Sequence, residues 1–212
     1  MKKVLPILAD LANGIFATFL ASWIVGINPT WHFVVGILFA MSPDLDAISE
    51  LWNRGIVVAS SRHLRDHRAG FHYPILFIII GVILIYFSQF WGLLFLIATV
   101  LHFFNDLYGT GWGISILWPF SSRRYKLFAR RINYLPKYLL VEQGHWARLS
   151  NEDRQLHFIV SWRDDELPEF IRRYGIENWI DIFYLNLNWT SAIEYGLFLL
   201  SLLLLGAHFF NF

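Results

Sequence analysis

The sequence predicts an all-α, polytopic membrane protein: a bundle of about five apolar helices with a small cytoplasmic segment. Three observations predict it. Of the 212 residues, 56% are hydrophobic and 18% aromatic, with 20 Phe and 10 Trp, more apolar mass than a water-facing fold of this length needs for its core. Only 16% are charged, against about 25% in an ordinary soluble domain. The charges are also confined: none lies between Asp10 and Asp44 or between Arg68 and Asp106, and Glu194 is alone from Ser191 to Phe212. With no Cys, thiolate metal sites, Cys nucleophiles and disulfides are excluded. A formal net charge of +1 argues against nucleic acid as a partner.

The elements follow in order. Lys2 and Lys3 open an apolar run, as in a secretory signal, but Asp10 and Asn13 interrupt it and no small-residue cleavage site follows, so a retained helix is expected near residues 4–26. Each internal charge-free stretch is too long for one crossing of about 20 residues. The turn signal Gly26-Ile27-Asn28-Pro29-Thr30 divides the first stretch, giving a second helix near 31–47. Ser88-Gln89-Phe90-Trp91-Gly92 divides the second, giving helices near 72–88 and 91–108, and a fifth is expected near 190–211. Residues 121–189 hold 11 of the 17 basic and 9 of the 16 acidic residues. Within them Asp164 to Arg173 has acids early and Arg late, with Leu167, Phe170 and Ile171 at helical spacing, a helix expected to lie against the membrane or the bundle. The chain therefore divides into 1–120, a membrane-embedded bundle with a metal site; 121–189, an amphipathic cytoplasmic segment; and 190–212, a C-terminal transmembrane helix. Lys and Arg flank the turns on one side only, which predicts a cytoplasmic N-terminus, a cytoplasmic loop between helices 2 and 3, and cytoplasmic residues 109–189.

Polar clusters stand out against this background. Asp10 interrupts helix 1, Pro43-Asp44-Leu45-Asp46 ends helix 2, His67-Arg68 and His72 begin helix 3, and His102 and Asp106 end helix 4. His102 and Asp106 are four apart, so imidazole and carboxylate share one helix face, the spacing a metal needs from two ligands of a single helix. Asp44 and Asp46 are two apart and do not share a helix face; at a helix end one ligates while the other orients a histidine. The two hairpins bring these clusters to one membrane face. An ionisable group facing lipid costs several kcal/mol, and a shared cation turns such groups into one satisfied cluster. Were residues 72–106 one helix, His72 and His102 would stand about 45 Å apart at 1.5 Å rise per residue. The plainer readings are a buried ion pair for His102 and Asp106, and helix caps for Asp44 and Asp46.

The ordered series Trp31-His32, Pro43-Asp44-Leu45-Asp46, His67-Arg68 with His72, His102 with Asp106, and Gly111 to Phe120 before Arg123-Arg124 resembles the YdjM-like family of membrane-bound metal-dependent hydrolases over roughly residues 31–126. The resemblance implies that Asp44, Asp46, His67, His72, His102 and Asp106 match the family's metal and catalytic positions. Where the family places a His near the N-terminus, this chain offers Asp10, which is added to the ligands. The expected activity is hydrolysis at the cytoplasmic membrane face with one or two divalent metals, zinc first and manganese or iron next, on a phosphoester or lipid-type substrate. Asp44 or Asp46 is the expected general base, and Arg68 the clamp for an anion. Membrane lipid is the expected partner. The rival classes are an ion or small-molecule transporter and a non-catalytic metal-binding membrane protein. His32 is expected at the opposite face, His63 in a loop, and His145, His157 and His208 in structural or surface roles. Gly109 to Gly113 reads as a turn with Trp112 and Trp118 as interfacial anchors.

Overall fold

In the computed structural model, residues 2–55, 57, 59–60, 63–64, 68, 70–133, 141 and 144–210 are described. The N-terminal run begins as a 3-10 segment, Lys2–Ile7, which contains Pro6, and continues as α1 (Leu8–Val25). Gly26 ends α1 in the left-handed region at φ 76°, its N–H donating to the Ser22 carbonyl, a conformation that Gly adopts without a Cβ penalty.

The second helix is shorter than expected. α2 (His32–Ala40) stops before the anticipated end at 47. It gives way to a 3-10 turn, Ser42–Asp44, and then to a separate α3 (Leu45–Arg54). Pro43 is the physical reason, since it brings no N–H and its ring clashes with the preceding turn, while the Ser42 hydroxyl donates to the Phe39 carbonyl at 2.7 Å. Asp44 thus sits in the turn and Asp46 in the first turn of α3. α1 and α2 cross closely where Gly14 meets the backbone of Gly36 and Ile37; a Cβ on Gly14 would lie 2.4 Å from the Ile37 Cα.

α4 (Pro74–Phe87) and α5 (Gln89–Tyr108) form the second hairpin, broken at Ser88, whose backbone is extended (φ −157°, ψ 114°). Gly81 and Gly92 let the two helices pack tightly, the first against Leu96 and the second against Ile85. The bundle is closed by α1 packing on α5, α2 and the C-terminal helix. Three helices are long and apolar enough to cross a membrane: Val4–Val25, Gln89–Tyr108 and Trp189–Phe210; Pro74–Phe87 is shorter. About five apolar helices were expected; among the described residues three have the length and composition to cross a membrane, with Pro74–Phe87 a shorter apolar helix.

The fold is mostly helical, as expected, but among the described residues it also carries one small two-stranded sheet. β1 (Arg124–Ala129) pairs antiparallel with β2 (His157–Trp162), in the register Arg124 to Trp162 through Ala129 to His157. Charged residues at the inward positions Arg124 and Lys126 mask the strand in the sequence. Both are buried, and the Lys126 ammonium donates to the carbonyls of Gly109 (2.7 Å) and Gly111 (2.6 Å). Between the strands lies a short α6 (Asn151–Arg154). Beyond them, α7 (Leu167–Tyr174) buries Leu167 and Ile171 against Val160, Trp162, Ala129 and Trp112. The apolar side of this helix therefore packs on the sheet, in place of the expected contact with membrane or bundle. Trp112 belongs to that core, 3% exposed, and is not an interfacial anchor; Trp118 stacks on Tyr73 at the entry to α4, 4.3 Å between centroids. α8 (Trp179–Phe183) leads into α9 (Trp189–Phe210), the C-terminal span.

Candidate metal centre

The hairpin of α4 and α5 and the crossing of α1 over α5 bring three chain segments to one end of the bundle. His72, two residues before α4, is fully buried, and His102 in the last two turns of α5 is 2% exposed. Their rings converge, 5.6 Å apart. The Nε2 of His72 lies 3.1 Å from Asp44 Oδ1 and 3.3 Å from Asp106 Oδ2. The Nε2 of His102 lies 3.4 Å from the same Asp106 oxygen and 3.8 Å from the same Asp44 oxygen. One ligand atom each from Asp44, His72 and His102 falls within 4.8 Å of the others. For a tetrahedral zinc with ligand distances of 2.0–2.1 Å, neighbouring ligand atoms are separated by about 3.3 Å. The four separations bracket that value.

Behind each imidazole stands a second carboxylate. Asp10, in the first turn of α1 and buried, meets the Nδ1 of His102 at 2.7 Å. Asp46 reaches the Nδ1 of His72 at 3.7 Å. A ring nitrogen engaged by a carboxylate fixes the tautomer and turns the other nitrogen toward a metal. Asp10, expected among the ligands, is placed instead on the ring nitrogen of His102 that points away from the cluster. Burial opposes charge on His72, but the bonds from Asp44 and Asp46 and the charge of Asp106 outweigh it and raise its pKa above that of a free imidazole.

The donor set fits a divalent cation. Among the described residues, neither the buried Nε2 of His102 nor the buried Oδ2 of Asp106 makes a hydrogen bond of good geometry, although they face one another. Among the described residues, four carboxylates, Asp10, Asp44, Asp46 and Asp106, surround two imidazoles and the guanidinium of Arg68. Such an excess of negative charge, part of it fully buried, is costly unless a cation offsets it.

Arg68 is placed differently from its expected role. One terminal nitrogen pairs with Asp106 and the other donates to the Thr110 carbonyl at 2.7 Å. Gly111, at φ 98°, makes that seat possible, because a Cβ there would collide with the guanidinium. His67 lies outside the described residues. His32 is remote, held between Trp31, Phe90 and Trp91 at the other end of the bundle. His208 bonds the Pro29 carbonyl at 2.8 Å, and His63 exchanges backbone hydrogen bonds with Ser60 in a loop.

A cavity of about 500 Å³ opens onto the cluster, lined by Asp10, Asp44, Arg68, His102, Asp106 and a largely apolar wall. Glu194 also lines it. This residue, fully buried on α9, was not placed at the site by its sequence context. Its signal was present, a lone acid in an apolar span, but the spacing of residues within α9 does not say which helix it faces. Among the described residues neither of its carboxylate oxygens has a hydrogen bond of good geometry, although the Tyr184 phenol is close enough to interact. Burial, with the Glu194 charge beside it, pushes the Tyr184 phenol well above the ordinary tyrosine range.

A helical membrane protein with a buried His and Asp cluster at one end of its bundle is the class that this fold and site define. Residues 8–162 match the family model for the YdjM inner membrane protein, and the chain belongs to that family. No curated protein and no solved structure matches it.

Proposed function

We propose that this chain is a membrane-bound, metal-dependent hydrolase that acts at the cytoplasmic face of the membrane on a phosphoester or lipid-type substrate. One observation carries the reading: the Nε2 atoms of His72 and His102 converge with Asp44 and Asp106 at the end of an open, largely apolar cavity. His72, His102, Asp44 and Asp106 are the ligands in this reading, and Asp10 and Asp46 hold the two rings. A divalent metal there, zinc first by donor type, supplies Lewis acidity and lowers the pKa of a bound water toward neutrality. Asp44, whose side chain is 34% exposed, is the carboxylate of the cluster best placed to take a proton from the cavity. Arg68 holds Asp106 and so acts on the substrate through that ligand. The basic residues Lys2, Lys3, Arg54, Arg123 and Arg124, which flank the spans at this end in the sequence, support a cytoplasmic location for it.

The test is the metal content of the detergent-purified protein, alongside His102→Ala and Asp106→Ala, followed by phosphodiesterase and lipid-hydrolysis assays. The parent is expected to carry stoichiometric transition metal, with both variants depleted and inactive. A parent that folds yet holds no transition metal removes the basis of the proposal. Full metal content without hydrolysis of any phosphoester or lipid tested makes the chain a non-catalytic metal binder.

A further inference from the structure

We propose that the two-stranded sheet is a membrane-interface anchor, with Phe128 and Phe158 seated in the headgroup layer of the bilayer. An unbroken series of ring contacts leads to them from a membrane span. Phe104, 54% exposed, lies on the outer surface of α5, a helix long and apolar enough to cross a membrane. Its ring contacts Tyr108 at 5.6 Å, and Tyr108 contacts Trp189, the first residue of α9, at 5.8 Å. Trp189 contacts Phe128 at 6.4 Å, and Phe128 meets Phe158 edge-on at 4.9 Å. Aromatic rings concentrate where a span leaves the hydrocarbon, because their bodies are apolar and their edges tolerate the headgroups.

The sheet is shaped for this contact. Phe128 has φ 50°, a left-handed backbone that a bulky side chain adopts only when the surroundings enforce it. The ladder pairs Leu127 with Ile159 and Ala129 with His157, and the ring of Phe128 between them packs on Phe158. Phe158 remains 63% exposed, a cost in water that a lipid environment removes. Leu185 and Leu187, 57% and 85% exposed in the loop before Trp189, lie where the same interface is entered. The occupant is the bilayer, since the surface is continuous with two spans, α5 and α9, that meet lipid. Glu169 pairs with both Arg172 and Arg173 on the exposed side of α7, a charged face suited to water.

The native chain has no Cys, so single-cysteine labelling needs no background removal. Phe158→Cys, Phe128→Cys, Phe104→Cys as the lipid reference and Asp164→Cys as the water reference are each labelled with nitrobenzoxadiazole. The full chain is reconstituted in vesicles of phosphatidylethanolamine and phosphatidylglycerol. Quenching by doxyl-labelled lipid and by aqueous iodide is compared. Labels at 158 and 128 are expected to be quenched several-fold more by doxyl lipid than the label at 164, and several-fold less by iodide. Labels at 158 and 128 that respond to iodide as the 164 label does overturn the proposal. So do labels there that respond to neither quencher, which would place protein, including a second copy, over the sheet. Phe158 is exposed, so its substitution leaves the core intact, and the 104 label confirms insertion in every preparation.

Discussion

Asp10→Asn separates a metal centre from a buried ion pair more cleanly than loss of a ligand does. Asp10 and the Nδ1 of His102 are 2.7 Å apart, and both residues are buried. Asn keeps an acceptor oxygen at nearly the same position and removes only the charge. A hydrogen bond to a charged group contributes about 1.5–3 kcal/mol, which is a factor of roughly 10–150 in an equilibrium constant at about 1.4 kcal/mol per tenfold. Loss of a carboxylate behind a ligating histidine costs about 10–100-fold in metal affinity, so the two routes agree. Zinc affinity is measured in detergent by competition with a chromophoric chelator. The dissociation constant of Asp10→Asn is expected to rise by about 10–100-fold, while His102→Ala loses stoichiometric binding. If His102 and Asp10 merely pair, the outcome differs: breaking a buried pair destabilises the fold by about 3–5 kcal/mol and leaves any zinc affinity unchanged. A folded Asp10→Asn that binds zinc as tightly as the parent refutes the assignment of Asp10 to the metal centre.

Two further outcomes follow from the same geometry. Zinc at about one hundred times its dissociation constant stabilises the folded chain by about 2.7 kcal/mol, a rise of roughly 5–11 °C in thermal midpoint at about 2–4 °C per kcal/mol for a chain of this size; tryptophan fluorescence reads it, and His102→Ala is expected to abolish the increment. Gly14→Ala on an open helix would stabilise by about 0.8–1.0 kcal/mol, but here the added Cβ meets backbone 2.4 Å away at the α1–α2 crossing. A net loss of about 1–3 kcal/mol and weaker zinc binding are expected, because α1 carries Asp10 one turn away, and a higher midpoint would show that the two helices separate freely.

The sequence made the two hairpins legible because their breaks are chemical. Gly26 takes a left-handed conformation, and Ser88 and Gln89 interrupt an otherwise apolar run. The meeting of Asp44, His72, His102 and Asp106 was legible for a related reason: ionisable groups are scarce in apolar stretches, and the hairpins return them to one end. Which nitrogen of His102 Asp10 would face was not legible, because spacing fixes depth along a helix and leaves the ring direction to packing. The sheet was obscured by Arg124 and Lys126, both buried; the Lys126 head is satisfied by the carbonyls of Gly109 and Gly111, which no local pattern announces. Glu194 was conspicuous as a charge and silent as a neighbour, since its place depends on how α9 docks beside α1.

The shortening of α2 explains how two carboxylates grip one ring. On a continuous helix through residue 47, Asp44 and Asp46 would project about 200° apart, and only one could reach His72. Pro43 stops the helix, the Ser42–Asp44 turn is tighter, and α3 restarts with Asp46 in its first turn. Asp44 then lies 3.1 Å from one nitrogen of His72 and Asp46 lies 3.7 Å from the other. The imidazole is held from both sides by residues two apart in the chain, an arrangement no regular helix supplies. Pro43 is thus more than a helix stop, because the turn it sets delivers one carboxylate to the Nε2 side of His72, where the proposed metal would sit, and leaves the next on the Nδ1 side.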